Sequence, residues 1–203
     1  MIKIYRQVFV GYLLLNVFIS CTYSQKRIAF NYGNKLIEKY KSKVDTDKID
    51  IITYEKKYSY CFQDEEPFKN RMDFPDNSII NYKLNLNDYA AIEYIANQAV
   101  NKFNNKEALE EYNRYRKYHP TTDSAKTRLS EFQINLNEYY RKYMAGIIEG
   151  KVYVKIFCYH SSKKEYFHNG ELVEVDGGGK LFFQLLINLS KFKHYGIEVN
   201  API

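Results

Sequence analysis

Two stretches near the C-terminus alternate residue by residue, and that period of two commits the second half of the chain to antiparallel sheet. In the first, Val152, Val154, Ile156 and Cys158 alternate with Tyr153, Lys155, Phe157 and Tyr159. In the second, Leu181, Phe183, Leu185, Ile187 and Leu189 fall on one side of a strand. Successive strand residues point to opposite faces, so each run offers one continuous row to a core. Turn signals punctuate the runs. Asn169-Gly170 accepts the positive φ values of a type I′ hairpin, and Asp176-Gly177-Gly178-Gly179 is a second turn. Tyr195, Ile197 and Val199 close a meander of four antiparallel strands.

The first half is more polar and reads as largely helical. A short helix is expected over 29–42, and residues 50–62, rich in Ile, Tyr and Thr, read as strand. Residues 64–76 form a loop marked by Pro67 and Pro75. Asn87 is expected to cap a helix on which Ile92, Ile95, Ala96, Ala99 and Phe103 recur at helical spacing. The next helix, 106–118, stops at His119-Pro120, because the residue before a proline resists the α region. Thr121 or Thr122 is expected to open the longest helix, to about residue 144. Its buried face would carry Leu129, Phe132, Leu136, Tyr139 or Tyr140, and Tyr143, with Gly146 and Gly150 at its exit. The expected fold class is α+β: an N-terminal helical part with a long helix packed on a C-terminal four-stranded antiparallel meander, cystatin-like or NTF2-like by analogy.

The N-terminus reads as an export signal. Lys3 and Arg6 precede the apolar run 8–19, and small residues follow at 20–24. From Val8 to Cys21 the stretch is shorter than the roughly 20 apolar residues of a membrane span and is interrupted by Asn16. Two processing routes fit. Cleavage after Ser24 removes residues 1–24; alternatively Phe18-Ile19-Ser20-Cys21 acts as a lipobox, residues 1–20 are removed and Cys21 carries lipid. Residues 25–203 then form a single α+β domain in the periplasm, cell envelope or secreted space.

Lys3 and Arg6 account for two of the six net positive charges, so the exported domain is only mildly basic. The basic and aromatic run Tyr112-Asn113-Arg114-Tyr115-Arg116-Lys117-Tyr118 reads as a solvated helix face, and nucleic acid is not an expected partner. The 21 tyrosines, with no tryptophan, fit the codon bias of an AT-rich genome better than a carbohydrate platform. Whichever route holds for Cys21, Cys61 and Cys158 remain in an oxidising space, as a disulfide or as two buried thiols.

Cys158 and His160 share a strand face, and His168 follows across a turn, so these three are the candidates for a metal site or a nucleophile–base pair. Ser161, Ser162 and Asp176 lie near them, without a G-x-S-x-G elbow to present a serine. Gly177-Gly178-Gly179-Lys180 fails as a phosphate loop, since Leu181 stands where Ser or Thr is needed and a strand follows. Asp64, Glu65, Glu66, Asp73 and Asp76 crowd a loop without EF-hand spacing. Asp88, Tyr89 and Glu93 offer no paired-carboxylate spacing. No cofactor is expected.

Val173-Glu174-Val175-Asp176-Gly177-Gly178, then Phe183, Ile187-Asn188-Leu189 and Val199-Asn200-Ala201, resemble a pattern "V-D-x-G-G … F … I-N-L … V-N-G" found in a set of small exported bacterial proteins of unknown function. The resemblance covers roughly the last 60 residues, with Ala201 where the pattern has Gly. It implies one α+β domain and transfers no catalytic residue. The expected function is a non-catalytic binding module for a protein or small ligand, touching a membrane only through lipid on Cys21. The alternatives are a small hydrolytic or metal-assisted enzyme using Cys158, His160 and His168, or an inhibitor or immunity-type protein.

Overall fold

A computed structural model describes residues 34–200, apart from 65, 70, 72–78, 120–125, 168–170, 174 and 176. The export signal, Cys21, His168 and the Asn169-Gly170 turn therefore lie outside the described residues. In chain order, helix α1 (Asn34–Lys41) leads into the short strand β1 (Ile49–Ile52). The one-turn helix α2 (Tyr60–Gln63) and the two-residue strand β2 (Ile80–Asn81) follow. Helix α3 (Leu86–Asn105) is the longest among the described residues and is followed directly by α4 (Glu107–Tyr118). Strands β3 (Tyr139–Ile148), β4 (Lys151–His160), β5 (Phe182–Asn188) and β6 (Lys193–Val199) complete the chain. Among the described residues no helix is long and apolar enough to cross a membrane.

The sheet order is β1-β3-β4-β5-β6, with β2 also pairing on β3. β3 to β6 are a four-stranded antiparallel meander, and β1 joins its edge in parallel. The mixed helix-and-sheet class thus matches expectation, while the identity of two elements does not. Residues 139–148 are strand, not the end of a long helix. Tyr139, Arg141, Tyr143 and Ala145 stand opposite His160, Cys158, Ile156 and Val154, so the segment is half of a ten-residue hairpin. Glu149 and Gly150, both at positive φ, make its two-residue turn. Gly146 marks a close approach, since a Cβ there would sit 2.8 Å from Ile79 Cγ2.

The expected strand 50–62 also stops early, at Ile52. Tyr58, Cys61 and Phe62 are buried at helical spacing, and the Asn81 side chain holds both the N–H (2.7 Å) and the C=O (3.0 Å) of Tyr54. That amide stands in for a strand partner and turns the chain across the sheet. The helix cap falls on Asn85 rather than Asn87: its side chain accepts from the N–H groups of Asn87 and Asp88, and Asp88 returns a bond to the Asn85 N–H.

Both sheet faces are buried. On one, Tyr143, Val154, Ile156, Phe183, Leu185 and Ile187 meet the α3 stripe of Ile92, Ile95, Ala96 and Ala99. On the other, Met144, Ile148, Tyr153, Phe157, Tyr159, Phe182 and Leu186 are covered by Tyr54, Tyr58, Cys61, Phe62 and Phe68.

A charged cluster joins α3 to the sheet. Tyr143 donates to Glu93 Oε1 at 2.7 Å, and Arg141 Nε stands 3.3 Å from the same oxygen. Arg141 Nη1 also donates to the Leu136 carbonyl at 3.3 Å. All three side chains are buried. Burial, reinforced by the Glu93 carboxylate, holds the Tyr143 phenol well above its ordinary pKa and so keeps it a donor. Removing one partner strands a charge in the core. Glu93→Ala is therefore expected to cost about 3–5 kcal/mol in urea unfolding, against about 1 kcal/mol for Tyr143→Phe. Equal and small losses would show that the cluster is not what fixes the helix.

Candidate functional site

On the sheet face away from α3, the covering segments leave a cavity of about 550 Å³. Its floor comes from Lys155, Phe157 and Tyr159 of β4, Phe182 and Gln184 of β5, and Glu198 of β6. Register places these side by side, with Phe157 opposite Gln184 and Gln184 opposite Glu198. Tyr60, Cys61 and Asp64 form one wall, and Leu172, Val173, Val175 and Gly177 the other.

The second wall belongs to no strand. It is a strap held by side chains of the sheet on alternate carbonyls. Lys142 donates to the Glu171 carbonyl, Tyr159 OH to that of Val173 at 3.1 Å, and Asn200 to that of Val175. Lys142 is fully buried; burial lowers its pKa, against the opposing charges of Asp50 and Glu171. Lys155 is only 2% exposed, and burial brings its pKa down to about 8 despite the carboxylates of Glu198 and Asp64. Among the described residues the cavity therefore combines four aromatic rings with a lysine, two carboxylates and two side-chain amides.

Cys61, Asp64 and Cys158 border this cavity, but the sequence candidates do not converge there as a site. Cys158 faces the α3 side, opposite Arg141, and burial pushes its thiol well up, away from the reactive thiolate. Cys61 belongs to the core on the other face. Neither cysteine is in a disulfide, and the sheet lies between them. His160, at the end of β4, caps the turn that follows. Its Nδ1 accepts from the Ser162 N–H at 3.2 Å and lies 2.9 Å from Ser162 Oγ, while Nε2 stands 3.5 Å from Glu138. This serine–histidine–carboxylate contact lies at the surface and outside the cavity, and Cys158 takes no part in it.

Gly177, Gly178 and Gly179 all have positive φ and feed a short turn into β5, while Lys180 reaches the carbonyls of Ser130 (3.3 Å) and Gln133 (3.1 Å). The lysine is thus spent on the chain itself. Of the two described residues of the acidic run, Asp64 lines the cavity and Glu66 does not; Glu65, Asp73 and Asp76 lie outside the described residues. Among the described residues no group of three or more His, Cys, Asp or Glu side chains is placed to hold a metal ion.

Lys155, Gln184 and Glu198 were not singled out by sequence, and Asn200 entered only through the Val199-Asn200-Ala201 pattern. The available signal was Lys155 itself, a lysine in the row Tyr153, Phe157 and Tyr159. Compared with family models, curated proteins and solved structures, the chain matches none.

Two measurements test this geometry. Alkylation without reductant should modify Cys61 and Cys158 only after denaturation, and two denatured thiols that stay unreactive would reveal a bridge. The pH dependence of stability tests Lys155. The folded chain releases this proton near pH 8, the unfolded chain near 10.4, so between those values the unfolded state binds more protons and stability rises with pH. Between pH 8 and 10 the native chain should gain on the order of 2 kcal/mol relative to Lys155→Met. Parallel pH profiles for the two proteins would refute the buried placement of the amine.

Proposed function

We propose that this chain is an exported, envelope-associated or secreted binding protein, and that the cavity over β4, β5 and β6 holds a small ring-bearing ligand. The observation that carries the reading is the cavity itself. About 550 Å³ lies within the range of small-molecule sites, and aromatic walls with a few convergent polar groups are their usual lining. The rings supply contact area, while Lys155, Gln184 and Asn200 supply donors for an oxygen on the ligand. Export follows from the expected signal at 1–24, in agreement with the resemblance to small exported bacterial proteins. The cystatin-like or NTF2-like analogy belongs to the same proposal, with the meander as scaffold and α3 as its support.

Thermal shift against a small-molecule library tests this function. A ligand at a hundred times its Kd stabilises by about 2.7 kcal/mol, which raises Tm by roughly 5–10 °C in a chain of this size. Gln184→Trp, which puts an indole in the cavity, should abolish the shift while the circular dichroism spectrum is kept. Ligands that stabilise both proteins equally would place binding elsewhere. A library that shifts neither would end the binding reading.

A further inference from the structure

Away from the cavity, the paired ends of β3 and β4 bring together a serine, a histidine and a carboxylate. Tyr139 stands opposite His160, so Glu138 and Ser162, just outside the paired residues, flank the same imidazole. That ring meets the buried Tyr139 ring edge-on, with centroids 5.2 Å apart. On one side Nδ1 accepts from the Ser162 N–H at 3.2 Å and lies 2.9 Å from Ser162 Oγ. On the other, Nε2 stands 3.5 Å from Glu138 Oε2, and the second oxygen of that carboxylate accepts from Asn135 Nδ2 at 3.0 Å.

These contacts fix the state of the imidazole. A backbone N–H can only donate, so Nδ1 carries a lone pair and the neutral ring has its proton on Nε2, turned to the carboxylate. The Ser162 hydroxyl, whose hydrogen rotates to suit, donates to the same Nδ1. A hydroxyl on one ring nitrogen and a carboxylate at the other is the relation of a serine nucleophile to its base and to the group that orients the base. Side-chain exposure is 24% for His160 and 54% for Glu138, and Ser162 is exposed, so an outside molecule can reach the serine oxygen.

We propose that Ser162 is a nucleophile toward activated acyl donors, aryl esters and thioesters, with His160 as its general base and Glu138 as a positioning residue. This activity goes beyond the binding reading and does not rest on it. Ser162 Oγ attacks the acyl carbon while its proton passes to His160 Nδ1. The bond from that carbon to the leaving oxygen or sulfur breaks, and the leaving group takes the proton from Nδ1. Water then attacks the acyl-serine through the same base, giving a carboxylic acid and returning the proton to Ser162 Oγ. The imidazolium formed in each half faces the Glu138 carboxylate, whose opposite charge favours it. General-base assistance is worth about 10²- to 10⁴-fold, which suits acyl donors whose leaving group departs easily.

A fluorophosphonate, which phosphonylates serines that have a working base, tests the inference on the intact protein. The expected result is one phosphonyl group per chain, mapped by mass spectrometry to Ser162, at a rate that falls as acid protonates the imidazole. His160→Asn is the decisive variant. An asparagine oxygen still accepts from the Ser162 N–H and keeps the turn, but the base is gone. Labelling should then drop at least about tenfold, and Ser162→Ala should lose it altogether. Both variants should hydrolyse p-nitrophenyl acetate more slowly than the parent by a similar factor, while circular dichroism and Tm are kept. A His160→Asn protein labelled as fast as the parent would reduce the imidazole to a turn cap and overturn the inference. Label on other serines, no label, or equal ester hydrolysis by parent and variants overturns it as well.

Discussion

The contact of Glu93 with Arg141 and Tyr143 ties the longest helix to the central hairpin, and the remaining architecture is arranged around it. A carboxylate on α3 and a guanidinium on β3 are both nearly inaccessible to water, so each depends on the other to be tolerable there. A slip of β3 by one residue would turn Arg141 and Tyr143 to the opposite face and bring Tyr140, Lys142 and Met144 toward Glu93 in their place. The cluster thus specifies register as well as position. It also uses up the polar capacity of that face, where Cys158 is a neutral thiol in a dry interior.

The other face is built on a different rule. Among the described residues no long helix covers it; a one-turn helix, extended segments and aromatic side chains do the covering. Irregular backbone brought onto a sheet must find partners for its peptide groups. It finds them in side chains: Asn81 for Tyr54, Lys142 for Glu171, Tyr159 for Val173 and Asn200 for Val175. Pieces joined in this way do not fill space as a helix does, and the space left over is the cavity.

Sequence patterns were informative where burial is one-sided. On α3 the apolar stripe of Ile92, Ile95, Ala96 and Ala99 reads cleanly, because the polar Asn87, Gln98 and Asn101 of the same helix are exposed. β3 defeated the same reasoning. Both of its faces are covered, so Tyr139, Tyr140, Tyr143, Met144, Ile147 and Ile148 show no polar alternation, and Leu129, Phe132, Leu136 and Tyr143 mimic a helical repeat. The buried run Tyr58, Cys61 and Phe62 carried helical spacing inside a composition that suggested strand. The cavity was less legible still. Asp64, Lys155, Gln184 and Glu198 come from α2's exit and three strands, and pairing alone makes them neighbours. His160 and Cys158 were rightly placed on one strand face, but the chain buries one and leaves the other to a surface cap.

Three side chains hold the strap beside the cavity by its main-chain carbonyls, at residues 171, 173 and 175. Lys142, Tyr159 and Asn200 grip carbonyl oxygens, which every amino acid provides, while the Glu171 charge opposite Lys142 and the packing of Leu172 and Val175 on the core add to the grip. Evolution can therefore exchange the strap's side chains and reshape one wall of the cavity while the sheet keeps its fastening. Variation in the shape of that wall would be concentrated in a handful of positions between β4 and β5, and a protein engineer could draw a library from the same short segment.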